Sequence, residues 1–195
     1  MCSFLNRIVP ALIAIAIVMI AGNFPAQATE AAWSKLGQGG FVLLIRSQQS
    51  VDSENPDDFA AGDCTTGDSL TDRGRQQAQR MGARIASRGI RVTKIFTSQW
   101  CSAVETARFT FRSPKSETLP SLNATAAGSS KEATQTDEVR KVISGFRGPG
   151  NLVLVTHGNN ITALTGITPR EGEAILVRSK PNGEELEISG RIIFH

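Results

Sequence analysis

The sequence predicts a three-layer α/β/α sandwich around a mostly parallel central sheet, and three features carry that prediction. Two short runs, Phe41–Ile45 and Asn151–Thr156, are apolar without alternation, the second through its four central residues Leu152–Val155. That pattern suits strands buried on both faces of a parallel sheet. Between them, stretches with apolar residues at helical spacing alternate with a further short strand, which places helices on both faces. The tail then reads as a hairpin, with β-rich segments Ala174–Val177 and Leu186–Phe194 flanking the turn residues Pro181-Asn182-Gly183.

In chain order, the N-terminus has the composition of an export signal. Arg7 supplies a positive start, Val9–Ala21 an apolar run broken by Pro10, and Ala26-Gln27-Ala28 small residues suited to cleavage before Thr29. The run is shorter than the roughly 20 residues that cross a bilayer. The expected division is therefore a signal peptide over 1–28 and one domain over 29–195. The processed chain would be periplasmic or secreted, with no integral membrane span. An uncleaved signal anchor is the alternative, and Cys2 lies before the apolar run, where no mature lipoprotein cysteine can be.

Gly39-Gly40 then leads into the first strand, and Ser47–Ser69, rich in Ser, Asp, Gly and Asn, reads as a long loop. Thr71 is expected to cap a helix with Asp72 in its first turn, Ala78, Met81, Gly82 and Ile85 on its buried side and Gly89 as its stop. Lys94–Thr97 follows as a strand, then helices over Ala103–Phe111 and Glu132–Phe146, the latter closed by Gly148-Pro149-Gly150.

At 195 residues the chain suits one domain. Its net charge of +3, with basic and acidic residues interspersed, does not describe a nucleic-acid or anionic-membrane binder. Nothing in it names a protein partner. Cys64 and Cys101 would lie in an oxidising compartment after export and can pair there; two free, partly buried thiols are the other reading.

Chemistry concentrates where the two apolar strands end. Arg46 and Ser47 follow the first, and Thr156 and His157 close the other. Arginine and histidine at strand carboxyl ends can hold an anion, although each residue type more often serves structure alone. A serine beside a histidine can also act as nucleophile and base, provided the base is well placed. His195, the only other histidine, ends the chain, where a nucleophile is poorly held.

Four stretches extend this reading. They are Leu44-Ile45-Arg46-Ser47, Leu70-Thr71-Asp72-Arg73-Gly74-Arg75-Gln76-Gln77-Ala78, Thr97-Ser98-Gln99-Trp100-Cys101-Ser102-Ala103-Val104-Glu105-Thr106-Ala107 and Leu154-Val155-Thr156-His157-Gly158. In this order they resemble the motifs of the histidine phosphatase superfamily, in its phosphoglycerate mutase-like branch. Gly62-Asp63-Cys64, Ser98-Gln99-Trp100-Cys101 and Asn160–Gly166 are similar to exported bacterial members, which favours pairing of Cys64 with Cys101. The resemblance implies phosphoryl transfer without metal or organic cofactor. One histidine attacks phosphorus, two arginines and a second histidine hold the phosphate, and an acid protonates the leaving oxygen.

Against that pattern this chain is depleted. Arg46 occupies the first arginine position, and His157 that of the second histidine, with Thr156 beside it. Ser47 stands where the nucleophile belongs and Ser102 where the second arginine belongs. Near Leu122-Asn123, a usual place for the acid, there is no carboxylate, and Gly67-Asp68 stands where exported relatives often carry an arginine. The expectation is an exported pseudophosphatase, inactive or severely impaired, that keeps a pocket for phosphate or a small phosphorylated ligand. The alternatives are an active phosphomonoesterase using Ser47 with His157, and a domain that merely folds.

Overall fold

The structure is a computed structural model that describes residues 24–50, 64, 69–181, 183 and 185–194, with side chains from residue 29. Residues 1–23 of the expected signal, with its apolar run, lie outside these residues, as do Gly62-Asp63, Gly67-Asp68 and His195.

The elements are α1 (Phe24–Gln38), β1 (Val42–Arg46), α2 (Asp72–Ser87), β2 (Val92–Thr97), α3 (Cys101–Thr110), β3 (Glu117–Thr118), a 3₁₀ turn (Pro120–Leu122), α4 (Ser130–Gly145), β4 (Asn151–Thr156), α5 (Gly158–Thr165), β5 (Glu173–Ser179) and β6 (Leu186–Ile193). They form one sheet in the order β3-β2-β4-β1-β5-β6. β3, β2, β4 and β1 pair in parallel, and β5 joins β1 antiparallel with β6 outside it. This is the mostly parallel sheet the apolar runs predict.

Strand alternation separates two cores. Leu43 and Ile45 of β1, Val153 and Val155 of β4, and Ala174 and Leu176 of β5 pack with α1, α2 and α3. Val42 and Leu44, Leu152 and Leu154, and Ile175 and Val177 pack with α4 and α5. Helices on both faces complete the three layers, and each buried Leu or Ile stabilises them by roughly 1.5–3 kcal/mol.

Asn151 explains why a polar residue opens a buried strand. Its side-chain amide donates to Leu36 O at 2.9 Å and Arg91 O at 3.0 Å, and its Oδ1 accepts from Phe41 N at 3.2 Å. One side chain thus ties the end of α1 to the starts of β1 and β2. Gly39 nearby has φ +78°, and a Cβ there would press on Pro149 O, so no other residue fits easily.

α2 starts where the sequence places it, with Thr71 Oγ1 accepting from Gly74 N at 3.0 Å. β2, α3, α4 and the hairpin strands agree with expectation within a few residues at their ends. Four elements have no counterpart in the sequence reading: the packed part of α1, β3, the 3₁₀ turn and α5. α1 runs across the expected processing point at Ala28, and Ala32, Trp33 and Leu36 bury its inner side against the sheet. No helix among the described residues is long and apolar enough to cross a membrane.

Candidate anion site at the strand ends

Parallel pairing builds the site. β1 and β4 are neighbours with Arg46 opposite Thr156, so both strands release the chain at one carboxyl edge, where α/β sheets hold ligands. Beyond it, Ser47 N donates to Thr156 O at 2.8 Å, and Ser98 N donates to Val155 O at 2.9 Å. Arg46, Ser47, Ser98, Thr156 and His157 are therefore brought together by backbone alone.

His157 is 1% exposed. Its Nε2 lies 2.9 Å from Ser98 Oγ, and Trp100 meets its ring edge-on at 5.5 Å between centroids. Gln99 N donates to Asn123 Oδ1 at 2.8 Å and Asn123 Nδ2 donates to Gln99 Oε1 at 2.9 Å, which fixes the amide orientation. Ser98 Oγ then gives its single proton to Asn123 Oδ1 at 3.1 Å and accepts from Trp100 N at 3.1 Å. The Ser98 hydroxyl thus links His157 Nε2 to Asn123 and to the backbone of Trp100. The hydroxyl against Nε2 is that of Ser98, not Ser47.

Arg46 is half-buried. Its Nη1 donates to Pro169 O at 3.2 Å, while its Nε is shielded from solvent with no hydrogen-bond partner among the described residues. The backbone of Gly158 lies against the guanidinium: a Cβ there would meet its Nε at 3.6 Å. Arg46 and His157 line one cavity of about 190 Å³ together with Thr125, Gly158, Asn159 and Thr168. α5 begins at this cavity, and His157, its N-cap, makes no side-chain cap bond. The first-turn N–H groups and the positive end of the helix dipole thus add to the arginine charge. A small oxyanion is the ligand such a lining favours.

The remaining predicted residues sit behind this cavity rather than in its lining. Ser47 is 2% exposed, and the chain beyond it is held to α3, because Gln48 N donates to Thr106 Oγ1 at 3.0 Å. Ser102, in the first turn of α3, is fully buried, and its Oγ has no hydrogen-bond partner among the described residues. Thr156 Oγ1 donates to Leu122 O at 2.7 Å and so secures the 3₁₀ turn. Cys64 and Cys101 form a disulfide with Cα atoms 5.4 Å apart, which anchors the preceding loop one residue before Ser102. Thr125 and Thr168 enter the lining from separate loops and Asn159 from the first turn of α5, none of them with a sequence signal. Ser98 belongs to a quoted motif, yet its bond to His157 is visible only in three dimensions.

The model of the histidine phosphatase superfamily (branch 1) matches residues 62–146. None of the curated proteins matches the chain. Among solved structures, the protein histidine phosphatase SixA, complexed with tungstate, is similar with a TM-score of 0.55 and 14% identity over 78% of this chain and 96% of that one. YhfR of Bacillus stearothermophilus is similar with a TM-score of 0.57 and 14% identity, covering 77% and 95%. The Rv3214 protein of Mycobacterium tuberculosis gives 0.58 and 14%, covering 80% and 98%. The family match supports the histidine phosphatase superfamily for the central stretch, and the solved structures share its fold.

Proposed function

We propose that this histidine-phosphatase-like chain is an exported protein that has lost, or nearly lost, phosphoryl transfer and retains a pocket for phosphate or a small phosphorylated compound. The observation that carries this reading is the contrast at the strand ends. Arg46, His157 and the start of α5 share a cavity, whereas Ser47 and Ser102, which the family resemblance aligns with the nucleophile and the second arginine, are buried serines outside its lining. A transferred phosphoryl group needs a positioned nucleophile and dense positive charge about its oxygens. Binding an anion needs only the charge and the donors, and those are what Arg46 and α5 supply. The apolar N-terminal run and the Cys64–Cys101 bridge support passage into an oxidising compartment.

A serine-based hydrolase is the competing reading. The position of Ser98 works against it, since Nε2 of His157 is engaged by the Ser98 hydroxyl at 2.9 Å.

The test is a phosphomonoester hydrolysis assay beside an orthophosphate titration, for the parent, Ser47→Ala, and Ser47→His combined with Ser102→Arg. The expected result is orthophosphate binding without turnover in the parent. Turnover that disappears in Ser47→Ala would overturn the proposal. Absence of orthophosphate binding would remove its second half.

A further inference from the structure

Arg46 also forms one end of a second, larger cavity. This groove, about 670 Å³ in volume, runs from Arg46 between one side of α2 and the segment that follows α5. Arg73, Gln76, Gln77 and Arg80 line the α2 wall. Their spacing of three, four and seven residues makes one helical stripe, about 10 Å long between the two arginines. Arg170 and Glu171 line the opposite wall.

Four arginines and one carboxylate therefore line the groove. Elsewhere, Arg75 pairs with Asp72, Arg88 with Glu30, Arg178 with Glu187 and Arg191 with Glu173. Arg46, Arg73, Arg80 and Arg170 make no ion pair with a carboxylate among the described residues. Arg170 is held in place through its backbone, whose N–H donates to the fully buried Glu173 at 2.8 Å. Guanidinium groups bind phosphate oxygens in pairs of parallel hydrogen bonds, so a row of them suits a row of phosphates. Phe194 is the one apolar residue in the lining, which leaves little surface for the side chains of a peptide.

Resting on the pocket reading above, we infer that the ligand is a small molecule carrying more than one phosphate group. One anionic group sits at Arg46 and His157, and the next extends along Arg73, Arg80 and Arg170. Arg46 is shared between the two cavities and joins them.

The experiment compares orthophosphate with linear tripolyphosphate by calorimetry, using the whole chain at constant ionic strength. Tripolyphosphate should bind at least about tenfold more tightly, the gain from added charge-assisted contacts. In Arg73→Ala/Arg80→Ala, and in Arg170→Ala on the opposite wall, that ratio should fall toward one. Lys131→Ala/Lys141→Ala on α4 removes the same charge from the other face of the sheet and should preserve it. A ratio near one in the parent overturns the inference. So does a ratio that survives loss of Arg73 and Arg80, or one that falls equally in the α4 variant, since attraction would then be diffuse. Equal affinity for a single-stranded oligonucleotide of the same charge also overturns it. If tripolyphosphate binds through these arginines while orthophosphate does not bind, the pocket reading fails and the groove stands. If neither binds, both fail.

Discussion

Asn123 commits both ends of its side-chain amide to the segment after β2. It accepts from Ser98 and Gln99 and donates to Gln99, while its backbone carbonyl accepts from Asn160 at 2.8 Å. Asn123→Ala would leave a buried hydroxyl and an N–H short of partners, so urea denaturation should show a loss of about 1–3 kcal/mol. Asn123→Asp keeps the two acceptors and should lose less. An alanine variant as stable as the parent would mean the network does not hold this loop. The sequence marks this position as one where an acid is missing; it does not reveal what the amide does instead. The partners lie on another loop, and the pairing of β2 with β3, continued by Leu119 N donating to Thr97 O, brings them close. Arg46 and His157, by contrast, were legible, because strand ends in a parallel sheet must converge.

α2 illustrates what helical spacing conveys and what it hides. Ala78, Met81 and Ile85 are buried as the pattern requires, but Gly82 serves the packing differently. A Cβ there would collide with Thr110 O at the end of α3, so Gly82 sets how closely the two helices approach. Gly82→Ala should cost about 1–3 kcal/mol by overpacking, measured as a lower denaturation midpoint. β3 and α5 escaped the sequence reading because two polar residues and a single eight-residue helix without a side-chain N-cap leave no periodic pattern. At the start of β5, burial tends to raise the Glu173 carboxyl, but hydrogen bonds from Arg191 and the Arg170 N–H, with both charges, outweigh it and hold it below the ordinary value of 4.5. A carboxylate held low in the folded state stabilises fully above that ordinary value and loses its contribution as pH falls below it. Glu173→Gln should therefore reduce stability at pH 7 by about 1–2 kcal/mol and flatten the acid limb of a pH–stability profile. An unchanged acid limb would refute this.

At the scale of the molecule, the disulfide joins residues 37 apart in sequence. Closing that loop should stabilise the fold by about 3–4 kcal/mol in the chain-entropy model. Cys64→Ser should lower the thermal midpoint correspondingly, and a reducing agent should lower the parent's midpoint but not the variant's. Equal midpoints for parent and variant would mean the bridge contributes nothing to stability. The layered architecture was legible throughout, since two unbroken apolar strands admit few arrangements. The arginine groove was not, because its charges come from three separate segments that meet only after folding.

The chain contains two tryptophans and no tyrosine. Trp33 on α1 meets Phe194 edge-on at 5.5 Å, and Trp100 meets His157 at the same separation. The molecule thus carries a separate intrinsic fluorophore at each of two places, the docking of α1 and the histidine that lines its anion cavity. Trp33→Phe would leave emission from Trp100 alone, an optical report on that histidine free of any added label.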